Sequence, residues 1–331
     1  MQIIIDSDIP FIHGVFEPYA DVCYLKGCDI TADKLGEAEV LVVRTRTRCD
    51  ASLLEHSKVR FIATATIGTD HIDLDYCQRV GIEVFNAKGC NARGVLQWVA
   101  AVLRDIVLGD GRQPSDYRLG VVGVGSVGSL VVEYARRWGF EVLMCDPPRQ
   151  EREGGDFRSV EELARCCDIL TFHTPYDATT HHLLGEQLLA IMPSKAVVLN
   201  ASRGGVVDNR AVANSSHRYY FDVWENEPNI ERDVLLKSAL ATPHVAGYSL
   251  QGKANATSLV VNAIARKFNL PIQNWYPAEV SPTKVLSINW EEMCDTINQY
   301  YPISEESRCL KNHPEEFEKM RNSYLYRTEY F

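Results

Sequence analysis

The chain has 331 residues, 46% hydrophobic and 24% charged, with a formal charge of −10. That length leaves room for about two ordinary domains with sizeable cores, and the acidic balance argues against nucleic acid, whose recognition needs a basic face. The start, MQIIIDSDIPF, lacks a basic region and meets Asp6 and Asp8 too early for a signal peptide, and no apolar run approaches membrane-spanning length, so no membrane partner is expected. From Met1 to about Asn86 the short apolar runs MQIIID, VLVVRT, FIATAT and IEVFNA alternate with polar, turn-rich stretches. This alternation predicts a small α/β unit with a parallel sheet. After Gly94, VLQWVAAVLRDIVLG predicts a long apolar helix that carries the chain into a second domain. That domain runs from near Arg118 through DILTFHTP, AVVLNAS, YYFDVWE and ALATPH at βαβ spacing, and a helix around Lys253 to Phe268 returns the chain. Between Arg210 and Tyr219 the connection is shorter than a comfortable crossover helix with its loops, so it is either abbreviated or lacks a flexible segment. From about Ala278 a segment rich in Tyr, Glu and Arg follows, with helical stretches at Asn289 to Gln299 and Pro314 to Tyr326.

Between Leu119 and Asp146 the chain reads LGVVGVGSVGSLVVEYARRWGFEVLMCD. Gly123, Gly125 and Gly128 follow a β-branched strand and open an amphipathic helix, and Asp146 closes a second apolar run 18 residues beyond Gly128. In such a dinucleotide fingerprint the first glycine permits the tight turn, the second lets a pyrophosphate approach the backbone and the third lets the helix pack on the strand. The amides of Ser126, Val127 and Gly128 at the helix start face the phosphates. Asp146 would accept hydrogen bonds from ribose hydroxyls and repel a 2′-phosphate, which predicts NAD, although Arg149 just beyond keeps NADP from being excluded. The fold class expected is therefore α/β, with two Rossmann-like or flavodoxin-like parallel-sheet domains, one inserted in the other. The boundaries expected are 1–93 with 255–277 for the outer domain and 94–254 for the nucleotide domain.

Ten cysteines are scattered without CxxC or Cys/His ligand spacing, and Cys166 and Cys167 are adjacent. They read as small core residues in a reducing cytosol, with neither disulfide framework nor metal site. His181 and His182 have no nearby partner in sequence and read as polar surface residues.

In an open parallel sheet, ligands bind beyond the carboxyl ends of the strands. Reading those positions in the second domain yields Asp146, Thr174 with Pro175, Ser202 with Arg203, Asp222 with Glu227, and His244. The Arg203 fork matches a substrate carboxylate bidentately. Histidine is the side chain that ordinarily titrates near neutrality, which suits His244 to exchange a proton with an alcohol. Glu227 would orient the imidazole and favour its protonated form. The set fits hydride transfer at a 2-hydroxy acid carbon. Arg44, Arg46 and Arg48 alternate after VLVV, so a persisting strand would place them on one face to meet a phosphate. Arg321 or Arg327 from a partner's tail would complete that cluster.

The motifs GVGSVG at Gly123 to Gly128, NASRGGVVD at Asn200 to Asp208, DVWENEP at Asp222 to Pro228 and TPHVAGYS at Thr242 to Ser249 resemble the NAD-dependent D-2-hydroxyacid dehydrogenases. The resemblance covers nearly the whole chain. VVRTRT at Val42 to Thr47, TATIGTDHID at Thr64 to Asp73, KGCNARGV at Lys88 to Val95, CDPPR at Cys145 to Arg149, GDFRSVEEL at Gly155 to Leu163 and AGYSLQGKA at Ala246 to Ala254 are similar to one branch of that family. The resemblance implies a small phosphorylated 2-hydroxy acid as substrate and a homodimer held by a small C-terminal α+β dimerisation domain, here 278–331. It implies that Arg203 binds the substrate carboxylate, that His244 is the proton donor and acceptor, and that Glu227 supports it. For NAD it implies Asp146, Thr174, the turn of Ala201, Ser202 and Arg203, Asp222 and Gly247. Thr45, Thr66 and Tyr248 would contact substrate, Thr45 standing where serine is familiar. Two alternatives stay open: a relative acting on 3-phosphoglycerate or glycerate, and a co-repressor-like protein that uses NAD to assemble.

Overall fold

Ile3, Ile4, Ile5, Val40 to Val43 and Phe61 to Ala63 are buried whichever way their side chains point, as in a parallel sheet covered on both faces. A computed structural model describes residues 1–331 and divides them into two units. The first comprises Met1–Asn91 and Leu250–Pro282. Its strands β1 (Gln2–Asp6), β2 (Asp21–Leu25), β3 (Val40–Val43), β4 (Phe61–Thr64) and β5 (Glu83–Asn86) pair in parallel in the order β2-β1-β3-β4-β5. Period two sorts the side chains: Ile4, Leu41, Val43 and Ile62 face Leu53, Leu54 and Cys77, while Ile3, Ile5, Val42 and Ala63 face Val260, Val261 and Ile264 of the helix Leu250–Lys267.

The second unit comprises Ala92–Ser249 and Thr283–Phe331. Strands β6 (Arg118–Val122), β7 (Glu141–Cys145), β8 (Ile169–Phe172), β9 (Val197–Asn200), β10 (Arg218–Phe221) and β11 (Leu240–Ala241) are all parallel, in the order β11-β10-β9-β8-β6-β7. The order reverses at β6, and the carboxyl end of a strand at such a switch point is where this architecture binds ligands. Both units are doubly wound α/β folds, as the sequence predicts. The long helix Ala92–Gly109 belongs wholly to the second unit, and the short connection after β9 is an abbreviated crossover, a six-residue helix Asn209–Asn214 capped by Asp208.

The tail departs from expectation. It does not form a third unit, and it carries the helices Trp290–Tyr300, Ile303–Asn312 and Phe317–Asn322 with no strand, only an isolated bridge between Ser249 and Arg327. Trp290, Met293, Ile297, Tyr301 and Phe331 complete the core around Tyr134, Trp138 and Phe140, and Leu310 and Phe317 pack on the opposite face of the sheet. So short a segment cannot bury its aromatic residues in a core of its own and spends them on the nearest apolar surface. All ten cysteines are free, and no helix is long and apolar enough to cross a membrane.

Candidate active site

The glycine turn after β6 separates two roles. Gly123 has φ +84°, and a Cβ there would come within 2.8 Å of the His173 carbonyl carbon; a Cβ at Gly128 would stand 2.0 Å from the Gly123 oxygen. The chain's own packing demands those two glycines. At Gly125 a Cβ would meet nothing within 4 Å, so this residue leaves its backbone open to a ligand. No side chain caps the helix Ser126–Arg137, so the amides of Ser126, Val127 and Gly128 at its start suit an anion. Beside the turn, the Thr174 hydroxyl is buried without a hydrogen-bond partner.

Asp146 is placed by two backbone donors: the Val124 amide reaches Oδ2 at 2.8 Å, and the Arg149 amide reaches Oδ1 at 2.9 Å, which caps the helix Pro147–Glu153. Arg149 spends its guanidinium on Glu153, at 2.7 Å, and on the Val124 carbonyl, at 2.9 Å. An uncapped helix start, an open glycine, an orphaned hydroxyl and a carboxylate fixed at the end of β7 are the donor and acceptor set that NAD requires.

Arg203 follows β9 in a turn built by Asn200. The Asn200 Oδ1 accepts from the amide and hydroxyl of Ser202 at 3.0 and 2.7 Å, while its Nδ2 donates to the Arg203 carbonyl at 2.9 Å. The Arg203 Nη1 donates to the Ser202 carbonyl at 2.8 Å, tying the guanidinium to the turn. His244 follows β11 with φ +56°, a region uncommon for residues with a side chain. Its Nδ1 lies 2.8 Å from Glu227 Oε2, and Glu227 Oε1 accepts the Trp224 amide at 2.9 Å. Burial alone would push the Glu227 carboxyl up; the neighbouring imidazole and these hydrogen bonds outweigh it and hold the group below the ordinary carboxylate range. Asp222 is fully buried, with its carboxylate taking the Thr242 hydroxyl at 2.6 Å and the amides of Val245 and Ala246 at 2.8 and 2.9 Å. It therefore builds the His244 loop from beneath.

The second unit thus brings Gly123, Gly125, Gly128, Asp146, Thr174, Arg203, Asp222, Glu227, His244 and Gly247 to the carboxyl ends of one sheet. The Tyr248 ring meets Tyr324 and Tyr326 edge-on at 5.8 and 6.2 Å. In the first unit the Thr66 hydroxyl lies 2.6 Å from that of Thr64 and 3.0 Å from the Gly68 carbonyl, and Thr45 is exposed.

The arginine alternation does not persist. Strand β3 ends at Val43 and the chain turns, so Arg44 reaches Asp6 and Asp8 at 3.0 and 2.9 Å and Arg48 reaches Asp50 at 2.7 Å instead of sharing a face. Arg327 is buried within its own chain, as the tail packs inward. His182 has partners after all, Glu225 at 2.6 Å and Asp208 at 3.9 Å. Asn200, Trp224 and Thr242 escaped the sequence reading as site-building residues; their places inside the resembling motifs were the signal available.

Residues 98–246 match the D-isomer specific 2-hydroxyacid dehydrogenase family, NAD binding domain. Across 342 aligned positions, covering 99% of this chain and 97% of the relative, 42% of residues are identical to an erythronate-4-phosphate dehydrogenase of Bacteroides thetaiotaomicron. The chain belongs to the erythronate-4-phosphate dehydrogenase family. A member from Azotobacter vinelandii is 44% identical over 280 positions, 82% of this chain and 74% of that one. Among solved structures, a D-lactate dehydrogenase of Aquifex aeolicus complexed with NAD and lactic acid superposes with a TM-score of 0.65 at 23% identity, covering 85% of this chain and all of that one. An NAD-bound 3-phosphoglycerate dehydrogenase of Entamoeba histolytica gives 0.68 at 23% identity, covering 82% and 98%. These two share the fold.

Proposed function

We propose that this family member oxidises 4-phospho-D-erythronate to 2-oxo-3-hydroxy-4-phosphobutanoate with NAD, a step toward pyridoxal 5′-phosphate. The observation that carries the reading is the Glu227–His244 contact of 2.8 Å on the sheet edge that also presents Arg203 and the glycine turn. Arg203 holds the substrate carboxylate and orients C2. Glu227 fixes the imidazole through Nδ1, so that Nε2 takes the proton of the C2 hydroxyl, and it stabilises the imidazolium that forms. NAD, when bound, accepts the hydride. The helix start at Ser126, Val127 and Gly128 and the carboxylate of Asp146 would hold its pyrophosphate and adenosine ribose, and Thr174, Ala201, Ser202, Arg203, Asp222 and Gly247 are the further residues that would contact it. Thr45, Thr66, Tyr248 and Arg46 are proposed substrate contacts, while Arg44 is held by Asp6 and Asp8.

We also infer a homodimer formed through the tail, in the cytoplasm. With most of its aromatic residues turned inward, the tail still exposes Leu325 at 90% and Val285 at 69%, along with Leu286 and Tyr326, and apolar side chains left outside suit an interface. The unpaired cysteines suit a reducing compartment. Light scattering should report a dimer for the native chain and a monomer for Leu325→Glu.

The test of the activity is initial-rate measurement with 4-phospho-D-erythronate and 3-phospho-D-glycerate, each with NAD and NADP. Preference for the four-carbon acid with NAD is expected. Preference for the three-carbon acid would remove the substrate while keeping the family, and equal use of NADP would overturn the role of Asp146.

A further inference from the structure

The two residues after His244 are held from both sides. Their amides donate to Asp222, Val245 to Oδ1 at 2.8 Å and Ala246 to Oδ2 at 2.9 Å. Their carbonyls accept from Arg327 in the tail, Val245 from Nη1 at 3.2 Å and Ala246 from Nη2 at 2.6 Å. A carboxylate fork and a guanidinium fork therefore grip one short stretch of backbone, each bidentately. His244 has φ +56°, and its amide donates to the Asp222 carbonyl at 2.7 Å. A side-chain-bearing residue keeps such a backbone only where its surroundings impose it.

Arg327 is itself well anchored. Its guanidinium lies 4.1 Å from the centre of the Tyr301 ring, and Nη1 also donates to the Tyr324 hydroxyl, which donates to Glu306 Oε1 at 2.6 Å. Burial pushes the Glu306 carboxyl up, against the pull of Arg327. The backbone reinforces the grip: the Arg327 amide donates to the Tyr248 carbonyl at 3.3 Å, and the Ser249 hydroxyl donates to Glu329 at 2.6 Å. The contacts of Arg327 with Val245, Ala246 and Tyr248, and that of Glu329 with Ser249, join residues 245–249 to a tail segment about eighty positions away in sequence.

We propose that Arg327 is a positioning residue for His244, which makes docking of the tail on its own chain a condition for proton transfer. The proposal rests on the role given to His244 above. Lysine would keep the charge but lacks the planar fork that matches the two carbonyls.

The experiment compares the full chain with Arg327→Met and Arg327→Lys. Turnover of 4-phospho-D-erythronate is normalised to NAD sites counted by fluorescence titration, so a merely unstable variant loses sites without losing turnover per site. For Arg327→Met, kcat per site should fall at least about thirty-fold with KM within about three-fold, and Arg327→Lys should recover part of the loss. In ¹⁵N-histidine spectra, the His244 ring signals, assigned with His244→Asn, should shift or broaden in Arg327→Met. Unchanged signals together with kcat within two-fold would overturn the proposal. Should Arg327→Met fail to fold, Tyr324→Phe removes the bridge to Glu306 while leaving the guanidinium; a several-fold loss of kcat with displaced His244 signals supports the clamp, and native values for both overturn it. A native protein that turns over no 2-hydroxy acid would defeat the functional reading alone, because the ring signals still judge the clamp.

Discussion

Glu227 Oε2 lies 2.8 Å from His244 Nδ1 while its other oxygen accepts the Trp224 amide at 2.9 Å. The carboxylate is thereby pinned at both oxygens and cannot swing away as the imidazole changes charge. Asparagine tolerates the left-handed backbone that His244 adopts, so His244→Asn should keep the loop and lose the proton exchange. We expect turnover to fall by about 10² to 10⁴-fold with NAD affinity retained, and Glu227→Gln to keep weak activity. Near-native turnover of His244→Asn would sink the assignment.

Gly125 and Gly128 should fail in opposite ways. With nothing within 4 Å of a Cβ at Gly125 and the Gly123 oxygen 2.0 Å from one at Gly128, Gly125→Ala should melt like the native chain yet bind NAD weakly. Gly128→Ala should lose about 1–3 kcal/mol of stability through overpacking. Thermal melts and NAD titrations on both variants decide it; a Gly125→Ala protein with native NAD affinity would refute the pyrophosphate role.

Arg44 and Arg46 should separate fold from substrate reading. Asp6 is wholly buried and pairs with Arg44 at 3.0 Å, so Arg44→Ala leaves its carboxylate buried with the Asp8 amide but without that guanidinium and should cost about 3 kcal/mol, the low end for a buried pair broken on one side. Activity toward every 2-hydroxy acid should then fall together. Arg46→Ala should instead raise KM for the phosphorylated substrate about ten-fold, the scale of one charge-assisted contact, and spare an unphosphorylated acid. Equal losses on both substrates would show that Arg46 does not read the phosphate.

His173 should make stability fall with acid. Burial pushes its imidazole down to about 3, so below pH 6.5 the unfolded chain takes up a proton that the folded chain refuses. The sign is a loss of stability as pH drops, about 1.4 kcal/mol per unit below roughly pH 6. Urea unfolding at pH 7, 6 and 5 should show a steeper decline for the native chain than for His173→Asn; parallel declines would rule this histidine out as the source.

The position of the glycine turn and of Asp146 at the sheet edge was legible because their signals are local. Gly123, Gly125, Gly128 and Asp146 lie within one strand, helix and strand, and residues directly after a parallel strand reach the ligand edge whatever the sheet order. That logic placed Arg203, Glu227 and His244 without coordinates. It failed at Arg44, Arg46 and Arg48, where alternation was extended past Val43 although the strand had ended. It also left the tail a separate domain, since periodicity marks an apolar face and not the surface that covers it.

Partner choice needed the folded chain. Arg44 meets Asp6 across 38 positions, His182 meets Glu225 across 43, and Arg327 meets Val245 across 82. Composition and spacing constrain each residue's own backbone, but a buried charge binds whatever the packing of distant elements sets within about 3 Å of it. Gly128 had to be glycine because its neighbour along the chain is in the way. Arg327 grips the His244 loop because a helical tail, with too little apolar surface to fold alone, settles on the sheet edge where that loop lies.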